Sequence, residues 1–110
     1  MIHEMKLHNS PFKKIKDGTK TIEMRLNDEK RQKIKINDEI VFINRTTLEQ
    51  IKVKVINLHH FNSFEELYKN FNKISLGYEE KEEANPKDME KYYSKEECQK
   101  YGVLGIEIKL

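Results

Sequence analysis

The chain has 110 residues, 36% of them hydrophobic and 36% charged, with one cysteine and a formal charge of +2. That length supports one modest core without covalent staples. The totals exclude an internal disulfide, an apolar run of the ~20 residues a membrane helix needs, and a surface basic enough to imply nucleic-acid binding by charge alone.

A lone cysteine, Cys98, fits a reducing compartment. His3, Glu4 and Lys6 stand where a signal peptide would need an apolar core. A cytoplasmic protein is therefore expected. The charge is unevenly placed: residues 1–55 hold 13 Lys/Arg against 8 Asp/Glu, and residues 56–110 hold 8 against 11. Such a split can steer an anionic ligand to one face; a chain this rich in lysine and glutamate also shows it by chance.

Residues 2–8 read as a strand with Met5 and Leu7 on one side. Asn9 or Ser10 is suited to cap a short helix with Pro11 at its first position, Phe12 and Ile15 inward, and Gly18 as a left-handed stop. Residues 20–26 form the second strand, Ile22, Met24 and Leu26 facing one way and Thr21, Glu23 and Arg25 the other. A polar turn or short helix follows to Lys33, and Asn37-Asp38 turns into Glu39–Asn44. That run is apolar on both parities and is expected to be a central strand buried on both sides.

Arg45–Leu48 connects it, as a hairpin, to a long strand from Glu49 to about His60. The apolar parity of this strand switches at Ile56 and Leu58, which predicts a bend or bulge. Ser63 and Glu66 make a capping box for a helix over 64–71, with Phe64, Leu67, Tyr68 and Phe71 on one stripe. Ile74 to Tyr78 and the acidic run Glu79–Glu83 follow. Asn85-Pro86 opens a short helix with Met89, Tyr92 and Tyr93, and Ser94 with Glu97 caps a further one with Cys98 and Tyr101 inward and Gly102 at its end. Val103–Leu110 alternates as a final strand, Leu104, Ile106, Ile108 and Leu110 toward the core. The order β, short α, β, β, β, two to three helices, β predicts an α+β chain organised as a single domain over 1–110. The expected sheet is small, mixed or antiparallel, curling into a half-open barrel with helices over one opening.

Three charges fall within six residues of the second strand and its approach: Lys20, Glu23 and Arg25. Glu23 and Arg25 share a face and can pair, whereas Lys20 falls on the opposite parity and needs strand twist to join them. A desolvated lysine there would be a base or nucleophile; the bland reading is a solvated face with an ordinary Glu–Arg pair. Adjacent His59 and His60 point to opposite faces of a strand, and one cysteine provides no zinc spacing, so no metal and no other cofactor is expected. Cys98 reads as a small core residue. Glu79–Glu83 reads as a solvated loop from which one acid can swing over a cleft. Of the tyrosines, Tyr78 and one of Tyr92 and Tyr93 are free to reach it as stacking surfaces. Neither a glycine-rich phosphate loop nor a nucleophile elbow is present.

The run Gly18-x-Lys20-x-x-Glu23-x-Arg25 resembles the G-x-K-x-x-E-x-R motif of the ASCH domain family. The preceding Pro11–Ile15 helix, the Asn37–Phe42 turn and strand, the capped helix after the long strand and the final strand also fit. The resemblance thus covers nearly the whole chain. It implies a PUA-like fold, a small β-barrel with helices over a cleft, and recognition of RNA or a nucleotide. Lys20, Glu23 and Arg25 would line that cleft, with Lys13 and Arg45, beside Lys14 and Lys16, as candidate contacts to a nucleic-acid backbone. One branch of the family hydrolyses acetylated cytidine with a lysine, a threonine and a glutamate, and another resembles a ribonuclease. Here Glu23 stands at that threonine position, and Asn37-Asp38 replaces the usual Gly-Asp turn. Three functions follow: binding of RNA or a modified nucleotide or nucleoside, hydrolysis of an acylated nucleoside or of RNA with Lys20 and Glu23 catalytic, and protein docking through the acidic half. No membrane partner is implied.

Overall fold

The computed structural model describes all 110 residues as one mixed five-stranded sheet curled into a half-barrel, with short helices against it. The strands are β1 (Ile2–Leu7), β2 (Ile22–Leu26), β3 (Glu39–Asn44), β4 (Gln50–Phe61) and β5 (Val103–Lys109). Their spatial order is β1-β3-β4-β5-β2, with β1 parallel to β3 and every other pair antiparallel. The two edge strands, β1 and β2, are therefore the first two in the chain. The helix α1 (Asn9–Lys16) joins them.

Two helices, α2 (Phe64–Asn70) and α3 (Lys95–Tyr101), and two short 3-10 helices, Arg31–Lys33 and Pro86–Lys91, complete the chain. None of the helices is long and apolar enough to cross a membrane.

Alternation decides the core. Leu104, Ile106 and Ile108 of β5 face one hydrophobic cluster with Met5, Leu7, Ile40, Phe42, Val53 and Val55, closed by Phe12 and Ile15 of α1. Val103, one step away and so on the opposite face, joins Ile22 and Met24 in a second cluster under Phe64 and Leu67 of α2, with Leu76 and Met89. The first cluster is the larger. Burying side chains such as Phe12 and Phe42 stabilises the fold by about 1.5–3 kcal/mol each, and it holds the two-turn α1, too short to persist alone.

Several expectations are corrected in detail. The α1 helix begins at Asn9 with His8 at its capping position, and Pro11 sits inside the first turn. The Asn9 side chain instead accepts a hydrogen bond from Asn44 Nδ2 at 3.0 Å, which ties α1 to the end of β3. The strand β3 is second from an edge, so Ile40 and Phe42 are fully buried while Val41 and Ile43 are only half-buried. The central strand is β4. Leu110 lies past the end of β5 and is exposed. Ser63 caps α2 through the Glu66 N–H, but Glu66 returns its carboxylate to the N–H of Asn62 rather than to that of Ser63. The box at Ser94 and Glu97 is complete.

Other expectations hold. The register of β4 against β5 shifts between Val55 and Asn57, where the parity switch fell. Asn37 turns with φ 78°, a left-handed position asparagine tolerates.

Candidate functional site

The β2 strand is where the barrel fails to close. Its far edge has no strand partner, and β1 lies across the gap. Arg25 spans part of it: its Nη2 donates to the Lys6 carbonyl of β1 at 3.2 Å. The same guanidinium donates through Nε to Glu23 Oε2 at 2.8 Å, with Nη2 at 2.8 Å from that oxygen. The other Glu23 oxygen, Oε1, lies 3.1 Å from Lys20 Nζ. One carboxylate thus holds two cations, one through each oxygen.

Lys20 joins this cluster because it is not part of the strand. Gly18, with φ 87°, breaks α1, and the Lys20 N–H bonds back to the Lys14 carbonyl at 3.0 Å. Thr21, just before β2, and Ile22, its first residue, both donate to the Ser75 carbonyl, at 3.0 Å each. Strand alternation therefore does not govern the Lys20 side chain. It runs across Gly77, a residue with φ 105° where an added Cβ would lie 3.0 Å from Lys20 Cδ. Only glycine leaves that path open.

The cluster is buried. Lys20 is 7% exposed and Glu23 3%, in contrast to a solvated strand pair worth under ~1 kcal/mol. Burial pushes the Glu23 carboxyl up, but the Lys20 ammonium and the Arg25 guanidinium outweigh it and hold its pKa below the usual value. Burial likewise opposes the charge on Arg25, and Glu23 and then Tyr93 overcome it, raising its pKa. Removing water from charges costs several kcal/mol per ion, and close opposite charges repay this when the geometry is good.

A cleft of about 370 Å³ opens over the cluster. Lys6, Lys14, Arg45 and Lys91 line it, as do Tyr68, Tyr78, Tyr92 and Tyr93. Lys14 is committed: it donates to the Gly77 carbonyl at 2.6 Å and lies 3.8 Å from Glu82. Lys6, Arg45 and Lys91 are exposed at the rim, and their side chains make no ion pair. On the opposite wall the Tyr68 and Tyr78 hydroxyls meet at 2.8 Å, and Tyr78 donates to Asp88 Oδ2 at 2.7 Å. Burial first, then these two neighbours, push the Tyr78 pKa upward, so its hydroxyl keeps its proton.

Of the residues singled out from sequence, Lys20, Glu23, Arg25 and Arg45 meet at this cleft, and Lys13 does not line it. Lys13 is exposed on α1, and Lys16 pairs with Glu49 away from the cleft. From the acidic run only Glu82 arrives. Both Tyr92 and Tyr93 line the cleft, where one was expected. Lys6, Lys91, Tyr68 and Asp88 were missed. Tyr68 has the spacing of a packing residue, and Asp88 lies in the short helix expected after Asn85-Pro86, where no pattern showed which side chain would face the cleft. Cys98 is half-buried, and burial, Glu97 and Glu65 raise its pKa, which suits an inert thiol. No three His, Cys, Asp or Glu side chains converge as metal ligands would; His59 instead pairs with Glu107 at 2.9 Å.

Residues 5–110 match the model of the ASCH domain. The chain is similar to the hypothetical protein PH0355, known from a crystal structure, with 33% identity, a TM-score of 0.82, and coverage of 99% of this chain and 98% of that one. It is also similar to protein PF0455 from Pyrococcus furiosus, known from a solution structure, with 34% identity, a TM-score of 0.73, and coverage of 99% and 96%. No curated protein matches it.

Proposed function

The chain belongs to the ASCH domain family, and from that premise we propose that it binds RNA or a nucleotide-like ligand in the cleft between β1 and β2. The observation that carries this reading is the buried Lys20–Glu23–Arg25 cluster opening into a cleft with three unpaired cations at its rim. Buried charges are costly, and a fold retains them at a concave site when they meet a ligand. Lys20 and Arg25 contact the ligand. Glu23 holds both in place, one through each oxygen. Arg45, Lys6 and Lys91 take phosphates at the rim, and the tyrosines supply faces on which a base stacks.

The test is a titration of the protein against labelled single-stranded RNA and against a nucleoside monophosphate, by fluorescence anisotropy and calorimetry. Binding is expected at low salt, weakening as salt rises with a slope set by the phosphates neutralised. Absence of affinity for every probe at low salt overturns the reading.

A second reading, hydrolysis, rests on one observation: the Lys20 ammonium and the Glu23 carboxylate meet in the cleft. Lys20 would act on an acylated nucleoside or on RNA with water as second substrate. The lowered pKa of Glu23 makes it a poor proton donor at neutral pH, and no hydroxyl stands at its position. Acetylated cytidine and single-stranded RNA are the substrates to assay. Turnover that vanishes in Lys20→Ala supports this chemistry; turnover unchanged in that variant overturns it.

A further inference from the structure

The floor of the cleft is a surplus of donors. The formal charges of Lys20, Glu23 and Arg25 sum to +1, and Lys20 and Glu23 are more than nine-tenths buried. Both Glu23 oxygens already face a cation, Oε1 toward Lys20 and Oε2 toward Arg25. The cluster's donors are not exhausted. Glu23 is the only protein group within hydrogen-bonding distance of Lys20 Nζ, which has three N–H groups. Arg25 spends Nε on Glu23 and Nη2 on Glu23 and Lys6, with Tyr93 beside the same guanidinium. Charged donors left over at the floor of a concave site are met more strongly by an acceptor with negative charge than by a neutral one.

From this we propose that the cleft floor seats a terminal phosphate, a phosphate monoester borne by a free nucleotide or by the end of an RNA chain. The inference rests on the binding reading above and narrows it. A monoester presents three oxygens and up to two negative charges, enough to meet the Lys20 and Arg25 donors and offset the surplus charge. An internal phosphodiester offers one charge and two bridging arms, and both arms must leave a floor where Glu23 is 3% exposed. A terminal group needs one exit. The remainder of the ligand then runs outward along the tyrosines to Arg45 and Lys91.

The experiment uses the full chain and three small probes: inorganic phosphate, cytidine and cytidine 5′-monophosphate. Calorimetry is expected to show the monophosphate binding at least about tenfold more tightly than cytidine, the value of one charge-assisted contact, and inorganic phosphate competing with it. In Lys20→Met the preference is expected to disappear. Should that variant not fold, the Arg25 Nε signal of labelled wild-type protein serves instead: it must move on adding the monophosphate and not on adding cytidine. A short RNA with and without a terminal phosphate separates the two sources. Loss of affinity on removing the end phosphate identifies RNA ends; affinity for the mononucleotide alone identifies free nucleotides. If RNA binds equally well with either end and cytidine matches its monophosphate, the terminal-phosphate inference falls while the binding reading stands. If no probe binds, both fall.

Discussion

Glu23 and Asp38 each gather several donors, and they do so to different ends. Asp38 lies in the turn before β3 and takes His3 Nε2 at 2.8 Å and the Lys35 N–H at 3.0 Å. The His3 hydrogen bond, then that from the Lys35 backbone, hold its pKa down to about 2. Its partners lie in the turn, in β1 and at the Met1 ammonium just before it, and the bonds tie the approach to β3 to β1. Glu23 is buried, and its partners are two side-chain cations with donors to spare. The difference teaches that hydrogen bonding to a carboxylate does not mark a site by itself. What marks it is burial together with donor capacity that the fold leaves unspent.

The largest effect expected is from Glu23→Ala. It strands two desolvated cations, and removing one partner of a buried ion cluster costs about 3–5 kcal/mol, readable as a shift of the urea midpoint at unchanged slope. Replacing all three charges together, Lys20→Met with Glu23→Leu and Arg25→Met, is expected to recover most of that stability, because apolar groups of similar volume need no partner. The same triple variant should lose ligand binding. A triple variant as unstable as Glu23→Ala would show that the cluster holds the barrel edge rather than a ligand.

Next comes Gly77→Ala, which combines a positive φ with a Cβ 3.0 Å from Lys20 Cδ. The strain is worth about 1–3 kcal/mol, and it should displace Lys20, so affinity falls with stability. An affinity unaffected by this substitution would detach Lys20 from the site.

Acid is the third probe. Both carboxyl pKa values are lowered by folding, so each contributes stability that is fully present above its unfolded value and lost as pH falls through the folded one. For Asp38 that window runs from 3.8 down to about 2; for Glu23 it begins at 4.5. Thermal melts should decline across this range, and Asp38→Asn should remove part of the decline without changing ligand affinity at neutral pH. Smallest in stability is Arg45→Ala at the exposed rim, expected within about 0.5 kcal/mol. Its effect is on binding, with the salt slope reduced by roughly 1 if Arg45 neutralises a phosphate.

How much of this was legible before the fold varied with how local the cause was. The β4 bulge was readable because a change of buried face leaves its trace in the alternation of apolar residues. The turn at Asn37 and the complete capping box at Ser94 were readable because each is settled within a few residues. The start of α1 was misplaced because the Asn9 side chain is drawn off by Asn44, 35 residues away. Alternation set Lys20 against Glu23, yet they meet, because the backbone of Lys20 still belongs to the exit from α1. Lys13 and Lys14 are equivalent by composition; only Lys14 has its ammonium over the cleft, bonded to the Gly77 carbonyl.

The sequence by itself determined the five strands, the α1 helix with its inward Phe12 and Ile15, and the identity of the three charges now found together. Those follow from periodicity, capping and turn chemistry, which act over a few residues. Tertiary structure alone decided that β1 and β2 become the two edges of one sheet, that Arg25 reaches across to Lys6, and that Tyr68, Tyr78 and Asp88 form the facing wall. These contacts join segments up to tens of residues apart. The curl of the sheet brings Arg25 to Lys6, and the packing of α2 against the segment after it builds the wall; no local pattern records either.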